Sequence, residues 1–338
     1  MSIILQNVSL KPYNTFGIEA TAKYFAEANT VDDLFEIFKT KAIQTEQLLV
    51  LGGGSNCLFT QDFNGLVVKM SIGGIDYVLE DDHILLTAGA GVVWNDLVNY
   101  CVRNGFAGIE NLALIPGTVG ASPIQNIGAY GVELKDVFSS CKAFEIATGQ
   151  IKTFDFAACN FGYRDSVFKN ELKGKYIILS VVFKLNKVAK LQTHYGAIDA
   201  ELQNRGIKNP SIADIAEVVA HIRVSKLPDP KTIGNAGSFF KNPVVELAFF
   251  ESLILKFPNL VHYPAPNQKI KLAAGWLIEQ CGFKGMVAGN TGTWKNQALV
   301  LVNHGGASGQ EVYSFSEQII NTVHQKFGLL LEREVNIL

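Results

Sequence analysis

At 338 residues the chain passes the size, roughly 250 to 300 residues, at which one hydrophobic core stops growing, so two or three domains are expected. Its composition, 48% hydrophobic and 18% charged, allows a large core and excludes a disordered chain. A net charge of −2, from 29 basic and 31 acidic residues spread along the sequence, excludes a basic field for nucleic acid or anionic lipid, so any anionic ligand must be held locally.

In chain order, MSIILQNVSLKPYNTFGI has no basic region followed by a long apolar run, and nowhere do about 18 apolar residues occur together. A soluble, cytoplasmic protein without a membrane partner is expected. Thr30 and Asp33 form a capping box before Leu34, Ile37 and Phe38, which predicts an amphipathic helix. The apolar run LLVL then ends in Gly52-Gly53-Gly54-Ser55-Asn56: a buried strand leading into a turn whose N–H groups can face an anion, like a phosphate loop without its lysine. A plain flexible turn is the alternative. Strands are predicted at 66–70 and 84–88, and a helix follows Gly89-Ala90-Gly91. A dinucleotide fingerprint fails there, because Trp94 stands where the third glycine belongs.

The stretch IPGTVGASPIQNIGAYG, 115–131, has four glycines and no charge. Glycine lets a ligand approach the backbone, and Gln125 and Asn126 offer amides to a polar heterocycle or pyrophosphate. A buried turn packing helix on sheet would also suit this composition. Further on, 141–156 reads as a β-hairpin and 176–185 as a buried strand, and Tyr163-Arg164-Asp165-Ser166 between them reads as a surface Arg–Asp pair. Residues 187–206 form a connection with a short helix. A helix from Ser211 stops at Pro228 and Pro230, with Arg223 and Lys226 near its end, where they complement the helix dipole. Ser238 lies between Gly237 and two phenylalanines, an apolar setting in which its hydroxyl needs a partner. Helices are predicted at 245–255, 270–281 and 310–327, the last with a capping box, Ser308 and Glu311, and a Gly328 stop. The tail LLLEREVNIL alternates like a strand.

Five scattered cysteines and six histidines show no disulfide framework and no metal-ligand spacing, so no metal is expected.

Taken in order, GGGSN (52–56), PGTVGASPIQNIGAYG (116–131), GYRDS (162–166), RVSKLPDP (223–230), GNAGSFFKNP (234–243) and L-x-x-E-V (331–335) resemble the UDP-N-acetylenolpyruvoylglucosamine reductase family over essentially the whole chain. The resemblance implies an α+β fold: a two-part FAD-binding region of vanillyl-alcohol-oxidase type followed by an αβ substrate-binding domain. It divides the chain into FAD-binding subdomains at 1–68 and 69–210, the second joined by strand 329–338, and a substrate-binding domain at 211–328. Tyr195 resembles the substrate-covering tyrosine of the family's long form.

The implied reaction is ping-pong: NADPH reduces non-covalently bound FAD, and the hydride then passes to the enolpyruvyl ether of UDP-N-acetylglucosamine enolpyruvate, giving UDP-N-acetylmuramate for peptidoglycan. The implied catalytic residues are Ser238 as proton donor, with Arg164 and Glu334 at the carboxylate that takes up charge. Substrate binding falls to Tyr163, Tyr195 and Lys226, supported by Arg223, Asn242, Tyr263 and Lys271. The cofactor residues are Gly52, Gly53, Gly54, Ser55, Asn56, Pro116, Gly117, Thr118, Gly120, Ala121, Ser122, Gln125, Asn126, Gly128, Ala129 and Tyr130. Arg333 departs from the proline common before the family's glutamate, and Glu332 is a rival for Glu334 on the same strand face. A monomer is expected. The alternatives are a flavin oxidase of the same fold, which has no need of Arg164, Ser238 and Glu334 as a set, and a non-catalytic nucleotide-sugar binding protein, which would tolerate loss of Ser238.

Overall fold

The computed structural model describes residues 3–40, 46–195 and 197–338. The chain forms two compact units: Met1–Val8, Ala22–Gly53 and Asn64–Arg223 in the first, and Ser9–Thr21, Gly54–Phe63 and Val224–Leu338 in the second. The tail 329–338 sits in the second unit, where Asn336–Ile337 pairs in parallel with Cys57–Leu58.

The first unit is built on two sheets. One runs Leu5–Ser9, Thr21–Ala28, Phe63–Met70, Gln47–Leu51 in spatial order. Its last two strands are parallel, with Leu51 opposite Lys69. The helix Val31–Lys39 has the full predicted capping box: Thr30 Oγ1 accepts from Asp33 N–H, and Asp33 accepts from Thr30 N–H. It buries Leu34 and Ile37 in a core with Leu66, Val68 and Phe144, and Phe35 and Phe38 both meet the Phe144 ring.

The other sheet has five antiparallel strands, ordered Ile151–Asp155, Phe138–Glu145, Tyr176–Asn186, His83–Gly89, Ile75–Leu79. Both the predicted hairpin and the predicted central strand are present in it. The helix Trp94–Arg103 buries Trp94, Leu97, Val98 and Cys101 in the core of this sheet, and the Trp94 indole donates to Leu112 O at 2.9 Å.

The second unit centres on an antiparallel sheet, Gly234–Ser238, Gln297–Asn303, Thr291–Trp294, Val287–Ala288, with the helices Ala274–Gln280 and Gly309–Phe327 against it. Three expectations change here. Residues 270–272 form a strand and the helix begins only at Ala274, because Leu272 N–H is drawn to Pro243 O and Ala273 N–H to Val261 O. Ser308 caps the last helix through Glu311 N–H, but the Glu311 carboxylate accepts from Asn290 N–H instead of closing a capping box. The tail is not one strand: Arg333 bridges Phe240, and only Asn336–Ile337 is paired beyond it. Among the described residues no helix is long and apolar enough to cross a membrane.

Candidate active site

In the first unit, both predicted glycine stretches meet at their backbones. A side chain on Gly53 would place its Cβ 2.9 Å from Gly117 Cα, and Thr118 Oγ1 occupies the space a Cβ on Gly52 would need. Gly53 itself is exposed. The segment 117–120 is stitched to the turn after His83–Gly89: Trp94 N–H donates to Gly117 O, Val119 N–H to Val92 O and Gly120 N–H to Ala90 O. A Cβ on Gly120 would come within 2.6 Å of Ala90 Cβ. Glycine is therefore required at 53 and 120 for close approach of chain to chain, while Gly117 needs it for its φ of 117°.

The polar side chains of this stretch mostly serve the loop itself. Ser122 Oγ donates to Val119 O at 2.6 Å, and the buried Asn126 accepts from Lys135 N–H at 3.0 Å while donating to Gly162 O at 2.9 Å. The amide of Asn126 is thus committed to shaping the loop. Gln125, Gly128, Ala129 and Tyr130 are half-buried, and Pro116 and Ala121 are exposed.

Arg164 does not simply lie on the surface. Its backbone takes φ 54°, its guanidinium donates to Gly128 O at 2.7 Å, and it lies 5.7 Å from the centre of the Tyr163 ring. The Asp165 carboxylate is engaged by Asn170 Nδ2 at 3.0 Å. Arg223, expected to support substrate binding, lies close enough to Tyr130 and Arg164 to be influenced by both. Burial pulls its pKa below the ordinary guanidinium value; the Tyr130 phenol pulls it back up and the like charge of Arg164 lowers it further. Its Nε is buried without a hydrogen-bond partner, and no carboxylate among the described residues pairs with it. A buried cation without a counter-ion is costly, and an anionic ligand would relieve that cost. The half-buried Arg223, with its Nε out of solvent, and the close-packed glycine backbones at 52–53 and 117–120 are each suited to the diphosphate of a flavin nucleotide.

Tyr195 packs on Gly131, where a Cβ would lie 3.1 Å from Tyr195 Cβ. The residue behind this arrangement was not singled out from sequence: buried Asn111 donates to both Tyr130 O (3.0 Å) and Gln192 O (2.8 Å), tying the glycine stretch to the segment that carries Tyr195. A polar residue just before the glycine stretch was its only signal.

In the second unit, Ser238 ends the strand Gly234–Ser238 and lies opposite Val300, after a register shift that begins at Asn235. Gly237, at φ 68°, turns the backbone there, and Asn235 Oδ1 accepts its N–H at 3.0 Å. Such a bulge re-aims the side chain that follows. Fully buried Phe239 and Phe240 come next, and Phe239 O accepts the Glu334 N–H at 2.8 Å. Ser238 and Glu334 therefore sit on neighbouring backbone segments. Asn56 Nδ2 reaches Glu334 O at 3.3 Å, and Asn336 Nδ2 holds Asn56 O at 2.9 Å, so the end of GGGSN is fastened to the tail. In the same unit, Gly54, at φ 61°, packs on the backbone of Tyr13 and Asn14, and Ser55 is half-buried.

The two tail glutamates do not share one environment. Glu332 is exposed and paired with Lys241, whereas Glu334 is half-buried. The Arg333 side chain between them runs to Ser316, Glu317 and the Tyr313 ring.

Asn242 Oδ1 accepts Ala274 N–H at 2.9 Å, capping a helix whose own N-cap, Ala273, cannot. Tyr263 and Lys271 face each other across paired strands, with Nζ 5.9 Å from the ring. Lys226 is the exposed last residue of the helix Ile212–Lys226, whose end is held by Asn296 Nδ2 on Ser225 O.

Comparison with known proteins agrees with these features. Residues 22–155 match the FAD binding domain family, and residues 229–338 match the C-terminal domain family of UDP-N-acetylenolpyruvoylglucosamine reductase. The UDP-N-acetylenolpyruvoylglucosamine reductase of Flavobacterium johnsoniae is 49% identical over 99% of both chains, and that of Amoebophilus asiaticus is 49% identical over 98% of both. The crystal structure of the Thermus caldophilus enzyme of the same name shares the fold, with a TM-score of 0.67 at 22% identity over 100% of this chain and 98% of that one. With relatives this similar along its full length, the chain belongs to the UDP-N-acetylenolpyruvoylglucosamine reductase family.

Proposed function

We infer that this chain is an FAD-dependent oxidoreductase that reduces UDP-N-acetylglucosamine enolpyruvate with NADPH, forming UDP-N-acetylmuramate for peptidoglycan synthesis. Bound FAD supplies hydride acceptance from NADPH and hydride delivery to the terminal carbon of the enolpyruvyl group. The chain's own residues do the rest. Arg164 presents a guanidinium fork to the enolpyruvyl carboxylate, which must carry negative charge as the double bond is reduced, and Glu334 acts at the same carboxylate. Ser238 Oγ donates the proton to the carbon bearing the ether oxygen. A serine hydroxyl is a weak acid, but an enediolate is basic enough to take its proton when the hydroxyl is fixed in place and water is kept out. The buried Phe239 and Phe240 beside it supply that dryness.

For binding, the backbones of 52–56 and 116–130 cradle the FAD diphosphate, with the side chains of Ser122 and Asn126 holding the loop in shape. Arg223 adds positive charge beside Tyr130 and Arg164. Lys226 and Tyr195 take the UDP diphosphate, with Tyr163, Asn242, Tyr263 and Lys271 supporting the substrate. The protein acts in the cytoplasm as a monomer.

The observation that carries the site assignment is the placement of Ser238 directly after the Gly237 bulge and directly before the carbonyl that holds Glu334. Neither an oxidase nor a passive binding protein needs that arrangement, and the full-length relatives are reductases. The test is Ser238→Ala in stopped flow. Flavin reduction by NADPH should be nearly intact while reoxidation by the enolpyruvyl substrate slows by about 10²- to 10⁴-fold, the range of general acid catalysis. Equal slowing of both half-reactions would remove Ser238 from the proton-donor role.

A further inference from the structure

The glycine turn 52–56 resembles a phosphate loop that lacks a lysine, and a lysine approaches it from the neighbouring strand. Phe63–Met70 runs parallel to Gln47–Leu51, with Lys69 in register with Leu51, one residue before the turn. The Lys69 ammonium reaches forward and donates to Gly52 O at 2.6 Å. Among the described residues no carboxylate lies within ion-pair distance of it; Glu27 acts on it only from farther off and is itself bonded by Ser71 Oγ. Burial lowers the Lys69 pKa, which marks a site drier than a surface lysine would have. A half-buried cation spent on one carbonyl is an unusual use of charge and calls for a reason beyond packing.

A trans peptide points its C=O and its N–H in opposite directions. A cation holding Gly52 O therefore turns the next N–H, that of Gly53, to the far side and polarises the peptide so that this N–H becomes a stronger donor. Gly53 is exposed, and its Cα side is filled by Gly117, so its freedom to reorient is already small.

We propose that Lys69 is a positioning residue for the cofactor's diphosphate: by holding and polarising the Gly52–Gly53 peptide from the neighbouring strand, it aims the Gly53 N–H at the FAD pyrophosphate. The proposal rests on the reading of this turn as the pyrophosphate loop. It differs from an ordinary phosphate-loop lysine in that the ammonium lies behind the peptide and acts through it.

The test is fluorescence titration of the flavin-free full-length protein with FAD and, separately, with riboflavin, which has the same ring system but no diphosphate. Wild type should hold FAD more tightly than riboflavin. Lys69→Met should weaken FAD by about tenfold, the size of one charge-assisted hydrogen bond, while changing riboflavin less than about twofold. Lys69→Arg should restore most of the loss. Where Lys69→Met does not fold, Lys69→Gln reads the same ratio. Equal weakening of both ligands would reduce Lys69 to a structural role, and unchanged FAD affinity would also overturn the proposal. Equal wild-type affinity for both ligands would instead remove the pyrophosphate reading of the turn itself.

Discussion

Arg333 stands where proline is common in the family, and its backbone pairing leaves room for either residue. In the bridge to Phe240, the hydrogen bonds are made by the flanking residues, Lys241 N–H to Glu332 O and Glu334 N–H to Phe239 O. The N–H of residue 333 takes no part in that pair, so proline and arginine can both stand there. The arginine side chain adds contacts that proline lacks: Nε to Ser316 Oγ at 2.8 Å, an ion pair with Glu317, and the Tyr313 ring 4.5 Å away. Arg333→Pro should therefore lower thermal stability while leaving the turnover number within about twofold; a collapse of turnover would mean that Arg333 itself sets the position of Glu334. The neighbouring glutamates can be separated in the same way. Glu334→Gln should cost far more activity than Glu332→Gln, because Glu332 is exposed and occupied by Lys241. The reverse ranking in steady-state assays would move the catalytic role to Glu332. Sequence alternation alone places both on one face; what separates them is burial and the Lys241 partner of Glu332, tertiary effects that alternation cannot show.

At the scale of the elements, local signals were legible and long-range ones were not. The capping box at Thr30 and Asp33, the hairpin expected at 141–156 and found as Phe138–Glu145 with Ile151–Asp155, and the Gly328 stop, at φ 72°, are all present, because each depends on residues a few positions apart. The helix starts at Ala274 and not at 270 because the amides of Leu272 and Ala273 are claimed by Pro243 and Val261, and because its cap comes from Asn242, far away in sequence. Lys69 and Asn111 escaped notice for the same reason, since each acts on a loop distant in the chain. The hairpin also carries a pH signature. Glu145 accepts from Lys152, Thr148 and Tyr176, which hold its carboxyl down at about 2 from an ordinary 4.5. A carboxyl whose pKa is depressed by folding stabilises the fold fully above 4.5, and that contribution is lost as pH falls toward 2. Wild type should be more stable than Glu145→Gln near neutrality, with the gap closing over that acid window in urea titrations; a gap independent of pH would show that the Glu145 charge plays no part.

For the whole molecule, composition and charge leave any anion to be held by local groups, and the proposed holders are backbone donors at the glycine stretches and the guanidinium of Arg223, with Lys69 acting on the Gly52 carbonyl behind one of those donors. The order of motifs along the chain carries the family, while each compact unit is assembled from segments far apart in the chain. The central claim is that these parts make a reductase which passes hydride from NADPH through FAD to an enolpyruvyl sugar nucleotide. It is tested most directly by the absorption spectrum of the purified protein, recorded anaerobically before NADPH, after NADPH, and after UDP-N-acetylglucosamine enolpyruvate. The account predicts flavin bands that bleach with NADPH and return on adding that substrate without oxygen. A protein that FAD cannot reconstitute, or a bleached flavin that only oxygen restores, would contradict it.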